Sequence, residues 1–576
     1  MTAVPRRRVL RSAAQGAAAA PLALAMSSCL GIEPSPEEQA APARGEGTAG
    51  TAAPESHRPR FHLTPPSGWL GDPQRPLVRG DAVHLYGLHH AEGTAPGPTT
   101  WAHWTSTDLV TFTPRGTALA GADGVDVWTG SVVVDEGNTA GRGAGAVVAL
   151  VTRPTDGRSA LQEQYLAASE DAATFALEPD PVLRSPEGRT ARSEEEIAQA
   201  SWFRDPKLQR DEERDQWVCA LGRDRRVSFW TSPDLRSWEH RSDLVPAELT
   251  PDGPDLGGVE CPDLFTLTAD DGSAHWVLGA SLDGSGAGEP TNYAYWVGTW
   301  DGERFLPEDP APRWLDRGWD WYAAVTWPAA EDPAHVRHAI GWMNNWAYAR
   351  DPSATAESDG YDGQYSVVRE VRLVRDDDGA LTLVSTPVPA LASAATSAQE
   401  LDDQQVSSQE DADGGVEGTA ELGALGPAFA LEMDVDWADA EGAALTVVGS
   451  ADGARGTRIS LGDGALHVDR RGSALTAGDT HDGGEGETGD GGGGDTAGRG
   501  GSDPFAGLTV ARAPIDPGAR SAHLHVLVDT QSVEVFLDDG RTALSLTVHP
   551  APGEEHVRLH ALGGTARLTG VRLRQH

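Results

Sequence analysis

Three features of this 576-residue chain predict an all-β fold, a five-bladed β-propeller followed by a β-sandwich. First, a short motif recurs. Trp104-Thr105-Ser106-Thr107-Asp108 ends on Phe112, Ala167-Ala168-Ser169-Glu170-Asp171 on Phe175, Trp230-Thr231-Ser232-Pro233-Asp234 on Trp238, and Val297-Gly298-Thr299-Trp300-Asp301 on Phe305. The hydroxyl positions 106, 169, 232 and 299 lie 63, 63 and 67 residues apart. A fixed period marks a repeated supersecondary unit, and in β-rich sequence that unit is a propeller blade. Second, apolar runs are short and broken by turn residues, with 68 Gly and 39 Pro and no long helical periodicity. Third, the motif stops near residue 389, and further alternating strands follow at the spacing of a sandwich.

The elements follow in chain order. Residues 1–29 read as an export signal, with a charged start at Arg6-Arg7-Arg8-Val9-Leu10-Arg11 and a weakly apolar core from Ala13 to Ala25. The paired arginines resemble a twin-arginine signal. Met26-Ser27-Ser28-Cys29 resembles a lipoprotein box, with Cys29 as the lipidation candidate and the one route to a membrane. The expected location is therefore extracellular or tethered to the cell surface. Residues 30–58, rich in Ala, Glu, Pro and Gly, read as a flexible tether.

Residues 59–388 hold the repeats plus one irregular segment, at about 65 residues per four-stranded blade. Val132 to Val134, Val147 to Val151 and Trp217 to Leu221 are strand-like runs. Residues 389–576 form the second domain, with strands at Phe429 to Trp437, Ala443 to Val448, Arg458 to Leu461, Ala465 to Val468, Leu524 to Val528, Ser532 to Leu537, Ala543 to Val548 and Val557 to Ala561. Asp538-Asp539-Gly540 is a hairpin turn. Residues 477–503 carry almost nothing apolar and read as a disordered insertion.

The net charge of −42 excludes nucleic acid as a partner, because phosphate binding needs clustered Lys and Arg. With Cys29 in the leader, Cys219 and Cys261 are too few for a disulfide scaffold; they can pair or stay as buried thiols. Gly141-Arg142-Gly143-Ala144-Gly145-Ala146 has no following helix and is not read as a nucleotide loop. His84, His89 and His90 lack a ligand set, so neither metal nor cofactor is expected.

Three acidic motifs carry the chemistry. They are Gly68-Trp69-Leu70-Gly71-Asp72-Pro73-Gln74-Arg75-Pro76, Trp202-Phe203-Arg204-Asp205-Pro206-Lys207 and Val259-Glu260-Cys261-Pro262-Asp263-Leu264-Phe265. Their acids stand 36, 29 and 41 residues before the Asp of the next repeat, roughly one phase of the blade. If each blade's first strand is innermost, Asp72, Asp205 and Glu260 converge on the central funnel. Converging carboxylates among aromatics suit glycosidic bond chemistry, with one as nucleophile and one as acid/base around a cationic transition state.

These motifs resemble the acidic signatures of glycoside hydrolase family 32, the invertase, inulinase and levanase family. Val127-Trp128-Thr129-Gly130-Ser131, Gly341-Trp342-Met343-Asn344-Asn345-Trp346 and Val528-Asp529-Thr530-Gln531-Ser532-Val533-Glu534-Val535-Phe536 extend the likeness. The resemblance implies a propeller and sandwich, with Asp72 as nucleophile, Asp205 as transition-state stabiliser and Glu260 as acid/base. It also implies substrate contacts from Trp69, Gln74, Trp128, Ser131, Arg204, Trp319, Trp321 and Tyr322.

Gly71, Gln74 and Arg75 depart from the family's usual Asn before the Asp and Asn-Gly after the Pro. Together with Trp319-Asp320-Trp321-Tyr322, they resemble the levan fructotransferase and levanbiose-forming branch, with Arg75 expected at the funnel mouth. The leading expectation is thus a retaining enzyme on β-2,6-fructan that forms a cyclic difructose dianhydride. A hydrolytic levanase or exo-fructosidase, and a catalytically inactive fructan-binding protein, stay open beside it.

Overall fold

The computed structural model describes residues 56–576 apart from 123, 156–157, 194–201, 377, 409–416 and 474–504. The expected leader with Cys29, most of the 30–58 tether and the 477–503 insertion lie outside the described residues. Among the described residues the chain is all-β, with only short helices such as Pro186–Thr190 and Pro389–Ser393. None of them is long and apolar enough to cross a membrane.

Successive four-stranded antiparallel meanders build the N-terminal part. The first runs Gly68–Arg79, Ala82–His90, Thr100–Ser106 and Thr113–Leu119. Gly130–Asp135, Ala146–Thr155, Arg158–Ser169 and Ala176–Arg184 follow, then Arg204–Asp211, Gln216–Arg223, Arg226–Ser232 and Glu239–Leu244. Next come Val259–Thr268, Ala274–Asp283, Thr291–Trp300 and Phe305–Pro307, and last Tyr322–Pro328, Arg337–Trp342, Arg369–Arg375 and Leu381–Pro387. The first strands lie side by side round a ring, the last against the first, as in a β-propeller. Arg75 pairs with Ser131 in parallel across one of these seams.

The repeated Asp belongs to the turn between third and fourth strands. Oδ1 of Asp108 accepts the N–H groups of Val110 at 2.9 Å and Thr111 at 2.7 Å. Asp171, Asp234 and Asp301 each do the same two and three residues on. These bonds hold Leu109, Ala172, Leu235 and Gly302 at φ of 64°, 62°, 59° and 103°, a left-handed state costly for all but the glycine. The backbone donors also keep the Asp171 and Asp301 carboxyls below their usual range. The Asp repeat is architectural and stands apart from the first strands that carry the acidic motifs.

A seven-stranded and a six-stranded sheet form the C-terminal sandwich, Phe429–Asp439 and Ser521–Asp529 central in the first, Gly442–Gly449 and His556–Leu562 in the second. Leu431, Trp437, Leu445, Leu466, Val526 and Leu544 fill the space between them, each at most 3% exposed. Burying a side chain of this size is worth about 1.5–3 kcal/mol. Glu417–Ala424 and Thr565–Gln575 are strands the alternation pattern did not reveal, because arginines and glutamates occupy their outward positions.

Buried charge welds the two parts together. Arg369, fully buried, donates to Asp316 at 2.9 Å and to Glu534, and lies 4.5 Å over the Trp321 ring. His62 bridges Asp529 at 2.9 Å and Glu534 at 2.8 Å. Breaking such a pair from one side costs about 3–5 kcal/mol, because the partner charge is left buried and unpaired.

Burial alone would lower the His62 pKa, yet Asp529 and Glu534 raise it from 6.5 to about 9. Burial would raise Glu534, but Arg369 and His62 hold it at about 2 instead of 4.5. His62 therefore stabilises the fold fully below pH 6.5 and loses this as pH rises through about 9. Glu534 stabilises fully above pH 4.5 and loses this as pH falls through about 2. Thermal midpoints should be highest between pH 4.5 and 6.5 and fall toward pH 9, with a shallower alkaline fall in His62→Gln. A midpoint flat from pH 6 to about 10 in the parent protein would contradict this linkage.

Candidate active site

Each expected acid sits on the first strand of its meander, inside a β-bulge. Two residues of the first strand oppose one of its neighbour between Leu70 and Pro73, Arg204 and Lys207, Glu260 and Asp263, and Tyr322 and Val325. A bulge breaks alternation and re-aims side chains, a device common beside active sites. The register makes Arg204, Glu260 and Tyr322 equivalent positions. Asp205 comes one residue later in the bulge and Asp72 two later. The acids therefore occupy successive bulge positions rather than one phase. The backbone is left-handed at Asp205, Cys261 and Ala323, with φ of 59°, 46° and 49°.

The three equivalent side chains meet. Arg204 Nη2 donates to Glu260 Oε1 at 2.5 Å, and Tyr322 Oη donates to Oε2 at 2.6 Å. Arg204 also stands 3.7 Å from Asp205 Oδ2 and stacks 3.9 Å over the ring of Trp202. Asp205 is 3% exposed and accepts from Thr129 Oγ1 and from the Cys261 N–H at 3.1 Å. Asp72 is half-buried, and its Oδ1 has no hydrogen-bond partner. Burial, then the charges of Asp205 and Glu260, push the Asp72 carboxyl well above its usual range against Arg204 and Arg75. Burial and Glu260 likewise raise Asp205 despite Arg204. Three carboxyl groups crowd near Arg204, an acidic cluster that would favour positive charge developing on a bound ligand.

The aromatic wall differs from expectation. Trp69 meets Trp342 edge-on at 5.8 Å and Trp346 at 6.1 Å, and Trp346 is 36% exposed. Trp128 is half-buried, its indole N–H on Asp126 at 3.1 Å. Trp321 is fully buried, bonded to Ser366 Oγ at 2.9 Å and covered by Arg369, so it is a core residue and not a pocket wall. Trp319 packs on the sandwich core instead of the funnel.

Gln74 is fully buried. Its amide donates to the Asp72 carbonyl at 2.8 Å and accepts from the Gly130 N–H at 2.6 Å, tying the first two meanders rather than facing substrate. Ser131, 1% exposed, accepts from the Leu208 N–H at 3.1 Å across the next seam. Arg75 is not at the mouth. It is 2% exposed, donates to the Pro262 carbonyl and lies 3.9 Å from Asp263. Asp263 also pairs with Lys207 at 2.8 Å. Its burial raises its pKa, but Lys207, Arg75 and Arg337 outweigh this and hold it ionised. Thr129, Trp202, Trp342 and Trp346 were missed as site residues. Each lies within a quoted motif, but only the fold brings it to the acids. Cys219 and Cys261 are buried free thiols.

Comparison with known proteins agrees with this arrangement. The Glycosyl hydrolases family 32 N-terminal domain matches residues 62–387, and the Glycosyl hydrolases family 32 C terminal matches residues 391–575. The chain belongs to glycosyl hydrolase family 32. Among its family 32 relatives is the levanbiose-producing levanase of Bacillus subtilis (strain 168), 34% identical over 524 residues, 89% of this chain and 90% of that one. The levanbiose-producing levanase of Geobacillus stearothermophilus is 36% identical over 408 residues, covering 69% and 95%. The exo-inulinase of Aspergillus awamori shares the fold, with a TM-score of 0.71 and 24% identity over 91% of this chain and 99% of that one. This family 32 chain is a glycosidase with a β-propeller and a β-sandwich.

Gly71 has a structural reason. A Cβ there would lie 2.5 Å from Trp69 Cη2 and 2.7 Å from Cζ3, so the indole lies folded against this glycine. Gly71→Ala should displace the ring and cut kcat/KM about tenfold or more, with a small loss of thermal midpoint. Unchanged kcat/KM in a folded Gly71→Ala variant would show that the ring's seat is unimportant.

Proposed function

We propose that this family 32 enzyme cleaves β-2,6-fructan by hydrolysis with retention, releasing a two-fructose product, from a funnel at the centre of five blades. The observation that carries the chemical part is the bulge-borne cluster of Asp72, Asp205 and Glu260 around Arg204. The substrate part is supported by the names of the two levanbiose-producing relatives.

In this reading Asp72, whose Oδ1 is unpartnered, attacks the anomeric carbon of a fructosyl unit. The glycosidic C–O bond breaks, and the leaving oxygen takes a proton from Glu260. Water then attacks the fructosyl-enzyme, its proton returning to Glu260, and the Asp72 carboxylate leaves. Asp205, fixed by Thr129 and the Cys261 N–H, binds sugar hydroxyls and balances positive charge in the transition state. Arg204 and Tyr322 hold the Glu260 carboxyl in place, and Trp69 and Trp128 shape the pocket.

Hydrolysis is preferred over intramolecular transfer because two residues that suggested transfer, Gln74 and Arg75, are buried in structural bonds. Export is part of the proposal, as the leader-like sequence of residues 1–29 suggests.

Asp72→Ala and Glu260→Ala should each lower kcat at least about a thousandfold while the protein stays folded. The Glu260 variant should recover in part on an activated fructoside whose leaving group needs no proton. Either variant retaining near-parent activity would refute its role.

The parent enzyme should convert levan faster than inulin or sucrose, with levanbiose as the main product by chromatography and mass. A product one water lighter would replace hydrolysis by transfer to an internal hydroxyl. Free fructose alone, with inulin cleaved as fast as levan, would overturn the substrate assignment.

A further inference from the structure

We infer that the C-terminal sandwich sets the shape of the substrate funnel through Arg470, a positioning residue acting on Asp320 and Tyr348. The inference builds on the fructan reading for its substrate arm only.

The strap 316–320 leads directly into the bulge at Tyr322. It is laid along the outer strand Thr542–Thr547 of the sandwich. Arg317 N–H donates to the Ala543 carbonyl at 2.8 Å and Asp320 N–H to the Ser545 carbonyl at 3.1 Å. In return the Ser545 N–H donates to Asp316 at 3.1 Å, and the Thr547 N–H to Asp320 at 2.8 Å. Gly318 permits this approach, since a Cβ there would stand 2.1 Å from the Ser545 carbonyl oxygen. The strap thus adds itself to the open edge of a sheet.

Arg470, on the other sheet of the sandwich, reaches into this joint. It is fully buried, donates to Asp320 Oδ2 at 2.6 Å and to Tyr348 Oη at 3.1 Å, and lies 3.6 Å over the Phe505 ring. Tyr348 in turn donates to Asp320 Oδ1. Tyr348 closes the loop that carries Trp346. Its N–H donates to the Asn345 carbonyl at 3.0 Å, and Asn345 Nδ2 donates to the Trp319 carbonyl at 2.9 Å. One guanidinium therefore fixes two segments of the propeller. The strap delivers Tyr322, which holds Glu260 at 2.6 Å. The loop delivers Trp346, the exposed ring beside Trp69. Hydrogen bonds and charge join the two segments at this joint. Only a planar, five-donor cation spans Asp320, Tyr348 and the backbone carbonyls of Thr547 and Leu508 at once.

The test uses the full chain with Tyr348→Phe, which removes one hydroxyl and leaves the ring, and Arg470→Lys as the stronger change. Two readouts are taken. Hydrogen exchange of peptides spanning 319–326 and 343–350 should speed up about tenfold or more in both variants. The KM for levan should rise about fivefold or more, and kcat should fall less on a short activated fructoside than on levan. A fall in thermal midpoint with parent-like exchange in both peptides and parent-like KM would make Arg470 a stability residue only and overturn the inference. Faster exchange with unchanged KM would overturn it equally. Should Arg470→Lys fail to fold, Tyr348→Phe decides alone. Should the parent cleave no fructan, the functional reading fails, and the exchange measurement by itself decides whether Arg470 holds the two segments.

Discussion

The site depends on one departure from regular strand geometry, the bulge shared by the acid-bearing first strands. Alternation along a flat strand would send neighbouring side chains to opposite faces. Asp205 would then turn away from the direction taken by Arg204. The bulge lets Arg204 reach Glu260 while Asp205 is held one residue further by Thr129 and the Cys261 N–H. Left-handed backbone at Asp205, Cys261 and Ala323 is the cost, and such strain persists only where surrounding bonds over-determine it.

Below the acids runs a second polar layer that does different work. Asp263 is fully buried among Arg75, Lys207, Arg337 and Thr326. Burial lowers the Lys207 ammonium to about 8, against the pull of Asp263. The floor ties the first strands of several meanders through charge and hydrogen bonds.

Much of this was legible in the sequence, for identifiable reasons. The Asp repeat marked the meanders because one turn chemistry, two backbone N–H groups on one carboxylate, must be met each time. Asp72, Asp205 and Glu260 stood out because Pro and aromatic neighbours gave each a recognisable setting. Substrate contacts were harder to read. Trp321 and Tyr322 are adjacent, yet one is core and the other meets Glu260, a choice made by strand direction. Gln74 and Arg75 looked like pocket residues from their place beside the acid. Their partners Gly130 and Pro262 lie 56 and 187 residues away, beyond any local pattern. Strands such as Thr565–Gln575 escaped because their outward Arg and Thr residues pair across a sheet instead of alternating cleanly with apolar ones.

The strap across the sandwich edge also bears on the order in which the molecule can be made. Asp316 and its partner Ser545 are separated by 229 residues, and Phe61 and Asp529 by 468. A chain emerging from the ribosome presents the acids long before it presents the strand that seats the segment leading to Tyr322. The last meander therefore lacks its sandwich partners until the Thr542–Thr547 strand has been synthesised. Seating the segment that leads to Tyr322 thus depends on contacts of high sequence separation, whose loop-closure entropy makes them slow to form.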